Sequence, residues 1–337
     1  MELLASIIST KTIRRLSPMS INLTDPIFHN EDAARAYFEA LHWPNGPICP
    51  HCGVVNEATA LKGAAHRPGL YKCKACDEQF SVTVGTVMES SHVPLNKWAL
   101  AFRLMAGSKK GVSAHQLMRE LGLGSYRTAW FLAHRVREAM ADHDPEPLGG
   151  RGKTVEVDET YIGKPEDVFV SGKGWQGQRG TATKRKVLTM VERSGRAVSV
   201  KVEDLTIATV KSVLGAHIVL DSTLNTDEAQ FYKQPGKAFA AHEAVNHGSG
   251  EYARGETTTN TVEGYFSIFK RGMVGVYQHC GEQHLPRYLS EFDFRYSNRS
   301  ALGVEDTERA TLAVKGARGK RLTYRQPRSA QPKQAGA

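Results

Sequence analysis

The stretch Thr154-Val-Glu-Val-Asp-Glu-Thr-Tyr-Ile162 decides how the second half of the chain is interpreted. Its β-branched and aromatic residues alternate with polar ones, which is typical of a strand. Asp158 lies in the middle of this predicted strand and shares a face with Glu156, while Glu159 points to the other face. Because burying a carboxylate without a partner is costly, an acid inside such a strand indicates a functional site.

Two further acids occupy informative positions downstream. Asp227 directly follows another predicted strand, and Glu263 lies on a predicted helix. Lys270 is seven residues after Glu263 and therefore on the same face of that helix. Phosphodiester chemistry uses two divalent ions held by few carboxylates, and a lysine beside them can bind a phosphate. The pattern predicts that Asp158, Asp227 and Glu263 bind two Mg²⁺ ions, for which Mn²⁺ can substitute.

Spacing alone leaves alternatives to these ligands open. Asp221 also follows a segment typical of a strand. Asn260 precedes Glu263 by one helical turn and faces the same way, so it is an alternative oxygen ligand. His242 and His247 lie in the same region, and for each a structural role is preferred to a ligand role.

Four of the five cysteines form two CxxC pairs, Cys49-Pro-His-Cys52 and Cys73-Lys-Ala-Cys76, whereas Cys280 stands alone. A CxxC turn places both thiolates on one side of a tight loop, so two such turns close a tetrahedral Zn²⁺ site. His51 could replace one cysteine ligand, although four cysteines suffice. We predict a structural zinc ion, against the alternatives of free buried thiols or a redox pair.

The chain is basic, with 44 Lys and Arg against 35 Asp and Glu and a formal net charge of +9 over 337 residues. Such an excess favours an anionic polymer partner, because neutralised phosphates release counterions; a solvated surface is the alternative. No run approaches the ~18 consecutive apolar residues that span a bilayer. Arg14 and Arg15 follow the N-terminal apolar patch, the reverse of a secretory signal. A cytoplasmic, nucleoid-associated protein without a membrane partner is expected.

A Pro- and Gly-rich linker at residues 143–150 is the main predicted boundary. The length suggests two or three domains. The predicted units are a poorly ordered extension over 1–24, a helix plus the cysteine-bearing module over 25–92, a helical region over 93–145, an α/β unit over 151–312, and a basic disordered tail over 313–337.

Two helices joined by a Gly-rich turn are predicted over residues 113–140. Ser113 stands where an N-cap belongs, and Gly122-Leu-Gly-Ser125 interrupts the helical pattern. Such a helix-turn-helix can place its second helix in a DNA major groove, although the same motif also occurs as plain helix packing. The residues expected to contact DNA are Tyr126, Arg127, Arg135 and Arg137 of the second helix, together with Lys270 and Arg271.

The stretch Thr258-Thr-Asn-Thr-Val-Glu-Gly-Tyr-Phe-Ser-Ile-Phe-Lys-Arg-Gly272 resembles the ISXO-like branch of the DDE transposases of bacterial insertion sequences. The same resemblance is carried by Val157-Asp-Glu-Thr-Tyr-Ile-Gly163, Asn225-Thr-Asp-Glu228 and Tyr288-Leu-Ser-Glu-Phe-Asp-Phe-Arg-Tyr296. That branch has a zinc ribbon before its catalytic domain. The resemblance extends over roughly residues 25 to 325.

The resemblance implies an RNase H-like catalytic domain, which is a mixed sheet flanked by helices. Its first aspartate lies on the first strand, its second just after the fourth strand, and its third acid on a later helix. Asp158 and Asp227 match the two aspartates, which sets Asp221 aside. Glu263 matches the third acid and Lys270 the lysine after it. Because some relatives have asparagine as the third member, Asn260 remains an alternative.

The implied function is that of an insertion-sequence transposase. Such an enzyme binds terminal inverted repeats in double-stranded DNA, cleaves the 3′ ends in a Mg²⁺-dependent reaction and joins them to target DNA, as a homodimer or higher multimer. One alternative is a non-enzymatic zinc-ribbon and helix-turn-helix regulator whose DNA binding is indifferent to Mg²⁺. Another is an RNase H-like nuclease that cuts without strand transfer.

Overall fold

The computed structural model describes residues 22–163, 167–172, 174–177, 184–251 and 253–323. The predicted extension up to position 21 and the predicted tail from position 324 lie outside these ranges. Within them the α-helices are α1 (Glu31–His42), α2 (Leu95–Gly107), α3 (Ala114–Glu120), α4 (Tyr126–Met140), α5 (Ile207–His217), α6 (Gln230–Gly236), α7 (Asn260–Gly272), α8 (Leu285–Ser297) and α9 (Asp306–Lys315). The strands are β1 (Ala58–Ala60), β2 (Tyr71–Cys73), β3 (Gln79–Phe80), β4 (Leu148–Gly149), β5 (Thr154–Ile162), β6 (Asp167–Val170), β7 (Gly174–Gly177), β8 (Arg185–Glu192), β9 (Ala197–Val202), β10 (Ile218–Val219), β11 (Thr223–Thr226), β12 (Ala241–Ala244), β13 (Ala253–Arg254) and β14 (Thr257–Thr258).

The cysteine-bearing module is a three-stranded antiparallel sheet in the order β1-β2-β3. The rings of Trp43, Tyr71 and Phe80 pack against one another with centroids 5.3 to 5.8 Å apart. The buried side chains of this cluster are those of Cys49, Cys73 and Phe80. So small a core supplies little hydrophobic stabilisation, which makes a metal the expected source of stability.

Helices α1 to α4 share one hydrophobic core. Phe38 of α1 and Phe102 of α2 meet at a ring distance of 6.4 Å, and Trp98 packs beside them. Ser113 and Ser125 occupy the N-cap positions of α3 and α4 and accept backbone hydrogen bonds there. The predicted pair of helices over 113–140 is therefore present, with the turn between them at the Gly-rich segment.

Helix α9 belongs to this helical core, which corrects the predicted boundary at residue 312. It packs against α1, α2 and α4, and its buried apolar residues are Ala310, Ala313 and Val314, followed by Ala317. These positions recur at i, i+3, i+4 and i+7, the spacing of one helix face. A disordered tail was predicted from residue 313 because the basic composition of this segment was given more weight than the spacing of its apolar residues. In the described part, the chain stays packed through Ala317.

The centre of the second half is a mixed five-stranded sheet in the order β12-β11-β5-β8-β9. Strands β5, β8 and β9 pair antiparallel, whereas β11 runs parallel to both β5 and β12. In the register of β11 with β5, Asn225 lies opposite Glu156. Since Asp227 and Asp158 each come two residues later, the register brings these two acids to neighbouring positions.

Helices cover both faces of this sheet. Alternate residues of β8 point to opposite sides, so Val187 and Val191 pack with α7 and α8 while Leu188 and Met190 pack with α5 and α6. The result is a three-layer α/β arrangement in which α7 lies across the face that carries Glu156. None of the helices in the described ranges combines the length and apolar character needed to cross a membrane.

Candidate metal centres and nucleic-acid interface

The four paired cysteines converge on one point. The Sγ atoms of Cys49 and Cys76 are 3.6 Å apart, and those of Cys52 and Cys73 are 3.7 Å apart. All four cysteines carry free thiols, and their Sγ atoms lie within 4.8 Å of one another. Tetrahedral zinc with Zn–S bonds of about 2.3 Å requires S···S separations of about 3.8 Å. The thiolates therefore fit a closed structural Zn²⁺ site, and His51 is exposed outside the group.

The backbone of the two CxxC turns repeats the same geometry. Gly53, with φ +79°, donates its N–H to the carbonyl of Cys49 at 2.9 Å. Asp77, with φ +64°, donates to the carbonyl of Cys73 at 3.1 Å. Each turn thus closes on the fourth residue after its first cysteine, in a left-handed conformation that glycine and aspartate tolerate.

Removing zinc is expected to unfold the module between about residues 48 and 82 while the five-stranded sheet persists, because the module's own core is small. Hydrogen-exchange mass spectrometry with and without a strong chelator would show lost amide protection confined to that module. A Cys73→Ser variant should bind less zinc, whereas Cys280→Ser, outside the cluster, should keep its full zinc content. Unchanged protection in zinc-free protein would contradict a structural role for the metal.

A second potential metal site lies at the carboxyl end of β11. Asp158, Glu159 and Asp227 each offer a carboxylate oxygen, and these oxygens lie within 4.8 Å of one another. The Asp158 carboxylate accepts the backbone N–H of Glu159 at 2.8 Å, and Asp227 accepts that of Ala229 at 3.0 Å. Three ionised acids this close repel one another, and either a bound cation or a proton relieves the repulsion. The arrangement is suited to a hard divalent cation with oxygen ligands.

Glu159 is a member of this cluster that sequence reasoning did not identify as a ligand. Its side chain accepts a hydrogen bond of 2.9 Å from the hydroxyl of Tyr232, a buried residue on α6. Strand alternation placed Glu159 on the face opposite Asp158, but the sequence did not reveal that β11 pairs with β5 and so brings Asp227 close to both acids. The only signal in the sequence is the adjacency of two acids, which is common on solvated surfaces.

Glu263 lies close by on α7 but outside that three-residue group. Its carboxylate accepts a hydrogen bond of 2.8 Å from Thr259 and lies 3.7 Å from Nε2 of His247. Its charge is near enough to contribute to raising the pKa of Asp158. In the described chain, Asp158, Asp227 and Glu263 therefore do not share one coordination shell. A site for two ions about 3.5–4 Å apart does not require all of its ligands to touch one another.

The acids of the cluster hold protons unusually tightly. Burial raises the pKa of Asp158 to about 7, and the neighbouring carboxylates act in the same direction. Burial also raises the pKa values of Glu159 and Asp227. Such perturbed groups are typical of functional sites.

Divalent-cation binding at this cluster is expected to weaken as the pH falls below about 7. Below that value a proton occupies Asp158 and competes with the cation, so the apparent affinity should drop about tenfold per pH unit. Calorimetric titration of Mn²⁺ on both sides of neutrality measures this and should detect proton release. An affinity that stays constant between about pH 6 and pH 8 would exclude Asp158 as a ligand.

The alternative metal ligands considered from the sequence lie in different parts of the structure. Asp221 is exposed before the start of β11, at the end opposite Asp227. Asn260 is exposed at the first position of α7. His242 shares a hydrogen bond of 2.9 Å with Thr226, whereas His247 lies beside Glu263.

The predicted DNA contacts divide into exposed and buried residues. Lys270 and Arg271 are exposed on α7, with the Lys270 ammonium 5.6 Å from the ring centre of Phe266. Tyr126 and Arg127 are exposed in the first turn of α4. These four side chains remain accessible to a nucleic acid.

Arg135 and Arg137 are buried, and the prediction that they contact DNA is wrong for this structure. Arg135 is 7% exposed and donates to the carbonyl of Glu89 at 2.5 Å. Arg137 is 2% exposed and donates to the carboxylate of Glu291 at 2.7 Å. The basic character of α4 seen in the sequence therefore serves internal packing in these two positions. The face of α4 open to DNA is limited to its N-terminal turn.

Comparison with known proteins agrees with this architecture. Residues 147–297 match the family model of the ISXO2-like transposase domain, and residues 29–79 match that of the transposase zinc-ribbon domain. The chain is also 28% identical over 278 residues to the "Uncharacterized protein in transposable element ISH50" of Halobacterium salinarum, an alignment covering 80% of this chain and 91% of that protein.

The two family matches together span more than half of the chain and contain both the acidic cluster and the four cysteines. These similarities support a general transposase function for the chain. The chain therefore carries an ISXO2-like transposase domain, preceded by a transposase zinc-ribbon domain. The resemblance inferred from the sequence is thereby confirmed.

Proposed function

We propose that this protein binds the terminal inverted repeats of an insertion sequence, cleaves the 3′ ends of the element and joins them to target DNA. The observation that carries the proposal is the register of two parallel strands. Asn225 pairs with Glu156, so Asp227 and Asp158 arrive side by side from β11 and β5. Helix α7 brings a third acid, Glu263, from the sheet face above them.

The sheet supports an RNase H-like assignment for the catalytic domain. Strand β5 is the first of the five-stranded sheet along the chain and carries Asp158, while β11 is the fourth and directly precedes Asp227. Glu263 follows on a later helix. This order of strands and acids is the one that the family resemblance implies.

Asp158, Asp227 and Glu263 are proposed to hold two Mg²⁺ ions, for which Mn²⁺ can substitute, with Glu159 as an additional nearby carboxylate. When bound, such ions supply Lewis-acid activation of the attacking and leaving oxygens of a phosphodiester. Lys270, two helical turns beyond Glu263, would bind a DNA phosphate as a point charge. Arg271 beside it would extend this contact.

DNA recognition is proposed to involve the zinc ribbon and a helix-turn-helix formed by α3 and α4. The exposed Tyr126 and Arg127 lie at the N-terminus of α4, the part of a recognition helix that reaches bases in this class of motif. The proposed units are the helix plus zinc ribbon over residues 25–92, the helical region over 93–145 and the catalytic domain over 151–305. Helix α9 packs with the helices of the first two units. Two element ends must be paired, so a homodimer or higher multimer bound to DNA in the cytoplasm is proposed.

A strand-transfer assay tests the function directly. Labelled duplexes ending in the repeats that flank the gene would be incubated with protein, Mg²⁺ and a target plasmid. The proposal expects Mg²⁺-dependent release of a 3′-hydroxyl and joined products. Cleavage without joining would favour the nuclease alternative, and Mg²⁺-indifferent binding without cleavage would favour a regulator.

A further inference from the structure

Glu156 is a fully buried acid that lies outside the three-carboxylate cluster. Its Oε1 accepts hydrogen bonds from Nε of Arg193 at 2.7 Å and from Oγ1 of Thr261 at 2.8 Å. Its Oε2 accepts the backbone N–H groups of Thr261 at 2.7 Å and Val262 at 3.1 Å. A carboxylate has about four acceptor positions, so these four donors use its full capacity.

The two backbone donors belong to the first turn of α7, where amides lack partners within the helix. Thr259 is the N-cap residue, yet its side chain makes no capping bond. Its hydroxyl donates instead to the carboxylate of Glu263. Glu156 therefore caps α7 from a neighbouring strand, and its negative charge is favourable at the positive end of the helix.

This contact joins the two elements that carry the proposed metal ligands. Glu156 precedes Asp158 by two residues on β5, and Val262 directly precedes Glu263 on α7. We infer that Glu156 is a positioning residue, which sets the place of Glu263 relative to Asp158 by holding the N-terminus of α7. The inference rests on the proposed two-cation site.

Arg193 and Asn225 reinforce the same connection. Nη2 of Arg193 donates to the carbonyl of Thr258, just before α7, at 3.3 Å. The side-chain amide of Asn225 lies within 3.3 Å of the same carbonyl. Since Asn225 precedes Asp227 by two residues, each strand that supplies an aspartate also contacts the start of α7 one pleat earlier. One set of hydrogen bonds thus connects the three segments that carry the proposed ligands.

Stability alone does not require this arrangement. A serine or aspartate at position 259 would cap the helix locally, whereas burying Glu156 requires desolvation of a charge and its compensation by Arg193. The buried carboxylate does what a local cap cannot, because it ties α7 to the strand that bears Asp158.

Iron-directed backbone cleavage tests the inference without relying on transposition. Fe²⁺ with ascorbate and peroxide replaces Mg²⁺ and cuts the polypeptide near the bound ion. Wild-type protein should be cut near residues 158, 227 and 263. In Glu156→Gln, whose amide cannot accept from all four donors, cutting near 263 should fall about tenfold relative to cutting near 158.

Glu192→Gln is the matched control. Glu192 lies on β8 of the same sheet and accepts hydrogen bonds from the amide of Gly149 and from Lys153, away from α7. Its cutting pattern should equal that of the wild type. Glu156→Asp serves if Glu156→Gln does not fold. It keeps the negative charge on a side chain that is one methylene shorter, and it should show the same selective loss of cutting near 263.

The outcomes separate the inference from the function on which it rests. The positioning role would be overturned if wild-type protein is cut near all three segments and the folded position-156 variant keeps the same ratio of cutting near 263 to cutting near 158. Absence of cutting near 158 and 227 in wild-type protein would instead refute the metal site itself. Hydrogen exchange provides a second readout, because the amides of Thr261 and Val262 should exchange faster in Glu156→Gln and not in Glu192→Gln.

Discussion

Replacing Asp158 with asparagine is expected to lower DNA strand cleavage by at least about 10³-fold, or ~4 kcal/mol in the activation barrier. The carboxylate lies within 4.8 Å of oxygens of Glu159 and Asp227, so it is central to any cation bound there. Asparagine is nearly isosteric but carries no charge, and it therefore weakens cation binding with little change in shape. Gel analysis of 3′-end release in Mg²⁺ measures the loss.

Two comparisons make this result specific. Binding of the terminal repeats should be retained in Asp158→Asn, because Tyr126 and Arg127, the DNA-contacting residues proposed on α4, are not members of the acidic cluster. Asp221→Asn should cleave normally, since Asp221 is exposed at the other end of β11. Equal loss of binding and cleavage in Asp158→Asn, or a comparable defect in Asp221→Asn, would count against the assignment.

Replacing Glu291 with glutamine is expected to lower the free energy of unfolding by about 3–5 kcal/mol. Glu291 is 0% exposed and pairs with Arg137, which is 2% exposed, and with Arg295, which is 5% exposed. Tyr277 also donates its hydroxyl to this carboxylate at 2.5 Å. Loss of the negative charge would leave two buried guanidinium groups without compensation. Urea denaturation followed by circular dichroism measures the change.

An exposed ion pair provides the comparison for this loss of stability. Glu243 and Arg254 lie 3.2 Å apart with about half of each side chain exposed. Glu243→Gln should therefore cost less than about 1 kcal/mol. If Glu291→Gln were equally mild, the buried ion pair between α4 and α8 would not be the stabilising connection that the structure indicates.

The local features of both candidate metal sites could be predicted from the sequence. The two CxxC pairs carry their geometry in their spacing, because each turn is closed within a few residues. Asp158 and Asp227 are recognisable because each stands in or directly after a predicted strand. In these cases the physical constraint acts over neighbouring residues, so one sequence suffices to reveal it.

The features that the sequence did not reveal depend on contacts between distant segments. Glu159 joins the acidic cluster only because β11 ends beside β5. Arg137 was predicted to contact DNA because the sequence does not show that it pairs with Glu291, which lies far along the chain. The helical spacing of the apolar residues of α9 was not recognised, because the C-terminal segment is basic overall. Burial and pairing of this kind are set by tertiary packing, which a single sequence does not encode in its spacing.

Acids from β5, β11 and α7 are proposed to bind two divalent cations jointly. Anomalous diffraction from crystals grown with Mn²⁺ and a repeat-end duplex tests it most directly. We expect two peaks about 3.5–4 Å apart, with Asp158 and Asp227 contacting the ions and Glu263 completing the second. Manganese peaks elsewhere, or none within coordination distance of Asp158 and Asp227, would contradict the account.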